Sequence, residues 1–258
     1  MSSHHLSTLM HFAAETAHLA GRVTLSYFGT GLQADFKADD TPVTIADRLS
    51  EELIRRRIEE CYPDHAIVGE EFGEKEATGA SHRWFIDPID GTKSFMRGVP
   101  LYAVLIALEV DGNVEVGAAY YPGTDELLFA ATGQGAWWNG RSARVSDISN
   151  LSRAYVSYTD IGAFRTYGKE AAWERLASHA YFRAGWTDAY GYLLVATGRI
   201  EVMLDPIMEP YDCGPFVPIL REAGGYFGDW RGNRTIFGRE GLATNGALQQ
   251  EVLGLLAM

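Results

Sequence analysis

Two aspartates three residues apart, Asp87 and Asp90, follow the apolar residues 84–86. An apolar strand would deliver both carboxylates at its end, where the neighbouring proline and glycine favour a turn. The two side chains could then converge on one metal ion, and the backbone amides of Gly91 and Thr92 could bind a phosphate beside it. Because aspartate, proline and glycine are also ordinary turn residues, this segment alone is equally consistent with a capped turn.

Two further carboxylates stand at the ends of apolar segments. Glu70 follows the short run 66–68, and Asp212 begins the apolar helical pattern 212–224. Carboxylate oxygens are hard ligands that suit Mg²⁺. Glu70 could instead lie in a solvated acidic loop, and Asp212 could be the N-cap of its helix. No cluster of histidine or cysteine residues in the sequence indicates a zinc site.

Composition favours a folded protein and argues against a nucleic-acid partner. Of the 258 residues, 47% are hydrophobic and 22% are charged, as in an ordinary globular protein. The net charge of −12 argues against an RNA or DNA partner. An acidic protein with an anionic substrate would need divalent cations to offset the repulsion. The sequence has no signal peptide and no long apolar span, so we expect a soluble, cytoplasmic protein without a membrane partner.

Hydrophobic patterning predicts alternating secondary structure. Apolar periodicity predicts helices, at 6–28, 46–61, 167–179, 187–198 and 212–224. Short apolar runs predict strands, mainly between 66 and 138 and again at 154–157, 181–183 and 200–204. Asp111-Gly112 predicts a hairpin turn. The charged residues of the second helix, among them Glu51 and Arg55, are expected to face solvent.

These elements predict an α/β fold built as an α+β layered sandwich, in which helices and sheets alternate. We expect two packed subdomains, with a boundary in the polar segment 139–151. Residues 1–145 would form an N-terminal α+β subdomain with an antiparallel sheet and most of the metal ligands. Residues 146–258 would form a C-terminal α/β subdomain that carries Asp212 and the residues that select the substrate.

The order of the acidic motifs along the chain resembles the inositol monophosphatase family of metal-dependent phosphatases. The resemblance rests on Lys37 followed by residues 41–47, on Gly69-Glu70-Glu71, on residues 84–92, and on Pro210-Tyr211-Asp212 before an apolar helix. It implies the layered fold of that family and hydrolysis of a small phosphate monoester. It also implies a homodimer.

The resemblance implies a role for each matching residue. Two or three Mg²⁺ ions would be held by Glu70, Asp87, Asp90, Asp212 and the main-chain oxygen of Ile89, with Glu70 also serving catalysis. The amides of Gly91 and Thr92 would bind the phosphate, and the Thr92 hydroxyl and Asp47 would orient the attacking water. Two metal ions about 4 Å apart can activate water, so we expect direct attack and no phosphoenzyme.

The segment 186–199 bears on the substrate, because it resembles the start of a helix in the histidinol-phosphatase branch of the family. Asp188 and Asp205 could pair with the ammonium and imidazole groups of histidinol phosphate. Asp188 could instead be a helix N-cap, and Asp205 could belong to a turn before Pro206. Histidinol-phosphate phosphatase is therefore the leading activity. The alternatives are an inositol-1-phosphate or broad-specificity phosphatase, and then a regulatory or RNA-associated family member.

Overall fold

The structure is a computed structural model, and it describes residues 3–32, 34–36, 42–77 and 79–257. The helices are α1 (Ser3–Leu25), α2 (Ile45–Cys61), α3 (Thr92–Met96), α4 (Ile161–Thr166), α5 (Glu170–His179), α6 (Ala189–Ala196), α7 (Pro210–Cys213), α8 (Phe216–Glu222) and α9 (Gln249–Ala257). The strands are β1 (Asp35–Phe36), β2 (Pro42–Val43), β3 (Ala66–Gly69), β4 (Gly73–Lys75), β5 (His82–Asp90), β6 (Ala103–Val110), β7 (Asn113–Tyr121), β8 (Glu126–Ala131), β9 (Ala136–Trp138), β10 (Arg141–Ser142), β11 (Tyr155–Ser157), β12 (Phe182–Ala184), β13 (Val202–Asp205), β14 (Gly225–Gly228) and β15 (Gly241–Asn245). Lys37 and Thr41, which belong to the early sequence motif, lie outside the described residues.

The larger sheet has eight strands in the order β10-β9-β8-β7-β6-β5-β3-β4. Neighbouring strands pair antiparallel except for β3 and β5, which run parallel. The prediction of an antiparallel sheet is wrong at this pair, because the short strand β4 occupies the sheet edge and β5 pairs with the other side of β3. Parallel strands end at the same edge of a sheet, so the residues after β3 and the end of β5 meet there.

Apolar cores hold successive layers of helices and sheets together. Helices α1 and α2 cover one face of the larger sheet, and α6 and α8 lie between its other face and the second sheet. The second sheet has the order β12-β11-β13-β15-β14, and α5 and α9 cover its outer face. This alternation confirms the predicted layered α/β class. The middle core contains residues of both predicted subdomains, such as Phe85 and Phe227, and the boundary at residues 145 and 146 stays a prediction.

Glycine and proline residues explain where helix predictions were wrong. The helix predicted at 167–179 begins at Glu170, because Gly168 adopts a φ of +69° and separates it from α4. The helix predicted at 212–224 is interrupted by Gly214 and Pro215 between α7 and α8. The predicted hairpin at Asp111-Gly112 is confirmed. Within the part of the chain that the structure describes, every helix is too short or too polar to span a bilayer.

Candidate active site

Strand β5 carries two of the predicted metal ligands. In a regular strand, residues three apart such as Asp87 and Asp90 would point to opposite faces of the sheet. The pairing of β5 with β6 shifts register between these two residues, and a bulge of this kind re-aims side chains. The sequence predicted a turn across them, whereas β5 continues to Asp90. The irregular strand end is therefore what lets both carboxylates face one point.

Asp212 completes the cluster from the second half of the chain. One carboxylate oxygen from each of Asp87, Asp90 and Asp212 lies within 4.8 Å of the others. Each aspartate also accepts a hydrogen bond from a backbone amide. Asp87 accepts from Ile89 at 2.9 Å, Asp90 from Ala189 at 2.6 Å, and Asp212 from Glu209 at 2.8 Å. Asp212 is not an N-cap, because it occupies the third position of α7. Three carboxyl side chains are thus held close together by the backbone.

The cluster is electrostatically unfavourable without a cation. Burial, followed by repulsion from neighbouring carboxylates, raises the pKa values of Asp87 and Asp90 well above the ordinary range. Burial is also the main reason that the pKa of Asp212 rises to about 7. A divalent cation would relieve both the desolvation and the repulsion, since it favours the charged form of every ligand. The donor set, which consists of carboxylate oxygens, suits Mg²⁺.

Glu70 faces the same cluster from the end of β3. Its backbone N–H donates to the Ile86 carbonyl at 3.2 Å, and its side chain lines the cavity that also contains Asp90 and Asp212. The charge of Glu70 contributes to the raised pKa values of Asp87 and Asp212. This proximity disfavours the alternative of a solvated acidic loop.

Glu51 supports the loop that carries Glu70, and its position differs from the predicted one. Its carboxylate is buried, accepts the N–H groups of Glu71 at 2.8 Å and Phe72 at 3.3 Å, and pairs with Arg55 at 2.6 Å. The prediction that Glu51 and Arg55 face solvent is wrong, because the loop after β3 folds over this side of α2. Gly69 packs directly on the Glu51 carboxylate, so a side chain on Gly69 would collide with it.

Asp47 lies in the first turn of α2, where Thr44 fixes its orientation. Its Oδ2 accepts hydrogen bonds from the Thr44 N–H at 2.8 Å and the Thr44 hydroxyl at 2.6 Å. Burial raises the pKa of Asp47 to about 6. Among the described residues, no group donates to its buried Oδ1. The positioning role of Thr44 was not predicted, although Thr-x-x-Asp spacing before a helix is a capping-box pattern.

Gly91 and Thr92 form the junction between β5 and α3. Gly91 adopts a φ of +85°, and a Cβ on it would lie 3.0 Å from the Leu101 carbonyl and 3.1 Å from Oδ2 of Asp188. The glycine therefore permits a close approach that another residue would block. The Thr92 hydroxyl donates to the Ile89 carbonyl at 3.0 Å. In the described part of the chain, Thr92 and Asp47 share no hydrogen bond, and their shared role with the attacking water stays a prediction.

A cavity of about 710 Å³ joins the carboxylate cluster to Asp188. Oδ2 of Asp188 accepts a hydrogen bond from the Ser94 hydroxyl at 3.1 Å, and this partner was not predicted from the sequence. Asp188 occupies the N-cap position of α6, as the alternative predicted, but its side chain makes no capping hydrogen bond to the helix. Burial raises its pKa to about 6, an effect that its bond to Ser94 and the charge of Lys93 oppose.

Asp205 also lines this cavity, at the end of β13. Its Oδ1 accepts the Thr159 N–H at 3.2 Å, and its Oδ2 accepts the Tyr192 hydroxyl at 2.9 Å. Burial raises its pKa to about 6. Since both oxygens already bind protein groups, Asp205 has a clear structural role in the cavity wall. A direct contact between Asp205 and the substrate stays a prediction.

Converging carboxylates at the edge of a sheet, beside a glycine turn and a polar cavity, are typical of a metal-dependent hydrolase. The comparisons with known proteins narrow this class. The model of the inositol monophosphatase family matches residues 5–257. The chain belongs to that family, whose members depend on metal ions, and it is a phosphoric monoester hydrolase.

Individual relatives match almost the whole chain. A histidinol-phosphatase of Chlorobaculum parvum is 44% identical over 249 residues, covering 96% of each chain. A histidinol-phosphatase of Mycobacterium tuberculosis is 35% identical over 247 residues, covering 93% of this chain and 95% of its own. The crystal structure of the extragenic suppressor protein suhB from Bartonella henselae superposes with a TM-score of 0.89 at 28% identity, covering 96% of this chain and 98% of its own.

Proposed function

We propose that this protein is a Mg²⁺-dependent histidinol-phosphate phosphatase, which converts L-histidinol phosphate and water to L-histidinol and phosphate. The observation that carries the proposal is the partly buried Asp188 carboxylate, which lines the same cavity as Asp90 and Asp212. An acidic side chain at this place suits a cationic leaving group and would repel a second anionic group. The names of the two relatives described above support the same substrate.

The metal-binding residues are proposed to be Glu70, Asp87, Asp90, Asp212 and the main-chain oxygen of Ile89. They fit magnesium because their ligand atoms are all oxygen. The raised pKa values of the clustered aspartates also show that the charged carboxylates are unfavourable there without a cation. We propose two or three ions per site. Bound Mg²⁺ supplies positive charge that polarises the phosphoryl group and acidifies the attacking water.

Residues of the chain itself position the phosphate and the water. The backbone amides of Gly91 and Thr92 bind phosphate oxygens, since amides at the start of a helix have no partner within it. Asp47 accepts a hydrogen bond from the attacking water through Oδ1, a buried oxygen to which none of the described residues donates. The Thr92 hydroxyl holds the same water. Direct attack forms the new P–O bond as the ester P–O bond breaks. The attacking water gives up a proton to Asp47, and the leaving oxygen takes up a proton from solvent to become the hydroxyl of L-histidinol.

The leaving group occupies the part of the cavity that contains Asp188. Ser94 fixes Oδ2 of Asp188, and the Ala189 amide that follows it binds Asp90 at 2.6 Å. The residue proposed to select the substrate is therefore joined through its neighbour to a proposed metal ligand. The ammonium group of histidinol phosphate would pair with the Asp188 carboxylate in a charge-assisted hydrogen bond. An inositol phosphate offers only neutral hydroxyls at this place.

The substitution Asp188→Asn tests this assignment, because it keeps the size of the side chain and removes its charge. We expect kcat/KM for L-histidinol phosphate to fall at least tenfold more than kcat/KM for inositol 1-phosphate, since a charge-assisted hydrogen bond contributes about 1.5–3 kcal/mol. Asp160→Asn is the matched control, because Asp160 lines the same cavity but is exposed and binds the Gly162 amide. Equal losses for both substrates in Asp188→Asn would remove Asp188 from substrate recognition.

We also propose a homodimer that forms along β12. This strand lies at one edge of the second sheet, and the exposed rings of Tyr155, Tyr181 and Phe182 cluster beside it. An open strand edge with exposed aromatic rings suits a second copy of the chain. Light scattering of the wild type and of Phe182→Lys tests this: the wild type should have the mass of a dimer and the variant a lower mass. A cytoplasmic location stays a prediction.

A further inference from the structure

Among the described residues, eight large aromatic side chains are exposed: Phe72, Trp137, Tyr155, Tyr167, Tyr181, Phe182, Trp186 and Phe237. Six of these eight rings contact another group of the protein. The guanidinium of Arg55 lies 5.9 Å from the centre of the Phe72 ring, and Trp137 donates to the Gln134 carbonyl at 3.0 Å. Phe237 meets Phe85 edge to face at 6.4 Å. The three aromatic residues beside β12 pack on one another.

Tyr167 and Trp186 are the two exceptions. Within the described part of the chain, neither ring contacts another aromatic ring or a cation, and neither the Tyr167 hydroxyl nor the Trp186 indole N–H is hydrogen-bonded. Trp186 is 53% exposed and Tyr167 is 48% exposed. Both line the cavity that contains Asp188. The two exposed aromatic residues without a protein partner therefore both line the active-site cavity.

Trp186 is held there by a fixed and strained backbone. It adopts a φ of +66°, a conformation that bulky residues rarely take. Its N–H donates to the Thr159 carbonyl at 2.9 Å, and the neighbouring Thr187 hydroxyl is buried against Ser157 at 3.0 Å and the Tyr158 carbonyl at 3.2 Å. Strained backbone held by its surroundings is characteristic of ligand-binding sites. The indole is thus presented to the cavity on an anchored segment.

We propose that Tyr167 and Trp186 form an aromatic subsite that binds a flat heteroaromatic ring on the leaving group of the substrate, in its neutral or its protonated form. Aromatic faces attract flat rings by stacking and attract cations through their electron-rich faces. The carboxylate of Asp188 gives the same cavity a negative charge. The subsite rests on the proposed function and deepens it, because the imidazole of histidinol phosphate is a ring of this kind. It adds recognition of the ring to the recognition of the ammonium group by Asp188.

The test compares two phosphate monoesters that share an ammonium group and differ in the ring. L-Histidinol phosphate carries the ring, and O-phosphoethanolamine lacks it. We expect the ratio of their kcat/KM values to fall about tenfold in Trp186→Leu and in Tyr167→Leu, because loss of a stacking or cation contact removes binding specific to the ring. Trp186→Phe and Tyr167→Phe keep an aromatic face and should retain most of the ratio. Trp137→Leu, which removes an exposed indole elsewhere, should leave the ratio unchanged.

A binding experiment covers the case in which a variant loses activity through altered folding. Binding of the product L-histidinol to the Mg²⁺-loaded enzyme, followed by calorimetry, should weaken about tenfold in Trp186→Leu and little in Trp186→Phe. A leucine variant that keeps both the wild-type ratio and wild-type L-histidinol affinity overturns the subsite. The proposed function is judged separately, on the preference of the wild type for L-histidinol phosphate over inositol 1-phosphate. A wild type without that preference defeats the proposed function, whereas an unchanged ratio in the variants defeats only the subsite.

Discussion

The backbone of Asp188 predicts an unusual order of stability among its variants. Asp188 has a φ of +42° and a ψ of −141°, a region that is open mainly to glycine. Asp188→Ala and Asp188→Gly both remove the hydrogen bond from Ser94. Only glycine also relieves the backbone strain, which costs about 2 kcal/mol for a residue with a Cβ. Against this, glycine lowers the free energy of unfolding by about 0.7 kcal/mol relative to alanine, because its unfolded chain is more flexible. We therefore expect Asp188→Gly to be more stable than Asp188→Ala by about 1 kcal/mol.

Thermal and urea unfolding in the presence of Mg²⁺ measure this difference. A gain of about 1 kcal/mol raises the Tm by about 2–4 °C in a chain of this size. Glu174 is a control, because it is exposed within α5 and alanine should there be more stable than glycine by about 1 kcal/mol. If Asp188→Ala equals or exceeds Asp188→Gly in stability, the backbone at this position is not strained. Both Asp188 variants should lose preference for L-histidinol phosphate, since neither has the carboxylate.

Three further predictions concern the carboxylates. Asp90→Asn should lower kcat at least 100-fold and weaken Mg²⁺ binding while leaving the circular dichroism spectrum unchanged; near-normal turnover would exclude Asp90 from the site. Glu51→Gln should weaken Mg²⁺ binding about tenfold by loosening the loop that carries Glu70. Glu52→Gln is its exposed control, and equal effects of the two variants would contradict the buried role of Glu51. Without metal, the protein should become less stable as pH rises from about 4 through about 6, because burial raises the pKa values of Asp47 and Asp205 to about 6 from 3.8. The folded state then binds more protons than the unfolded state across this window, so the free energy of unfolding falls with pH. Mg²⁺ should raise the Tm more at pH 7 than at pH 5, as scanning fluorimetry with and without EDTA can measure; a gain independent of pH would contradict the electrostatic account.

The sequence predicted much of the site because its carboxylates follow short apolar strands. The ends of such strands are easily recognised, and parallel strands bring their ends to one edge of a sheet. Asp87, Asp90 and Asp212 meet as the motifs predicted, although Asp212 is far away along the chain. The layered fold was also predictable, since apolar periodicity changes clearly between helices and strands. The roles of these residues as metal ligands await the experiments above.

Other features could not be predicted, because they depend on long-range packing. Glu51 lies on the charged side of α2, and only the approach of the loop after β3 buries it. The bulge in β5 depends on its pairing with β6, which the sequence of β5 alone does not specify. The backbone of Asp188 is a stronger example, since local preference would place glycine there. An aspartate in a backbone conformation that favours glycine is strained, and such strained residues are concentrated at functional sites.

The most direct test of the central claim is kcat/KM with Mg²⁺ for L-histidinol phosphate, measured beside inositol 1-phosphate under the same conditions. The proposed function predicts a preference of about 100-fold or more for L-histidinol phosphate, which corresponds to about 2.7 kcal/mol of transition-state discrimination. Equal values, or a preference for inositol 1-phosphate, would contradict histidinol-phosphate phosphatase activity while leaving the family and the carboxylate site in place.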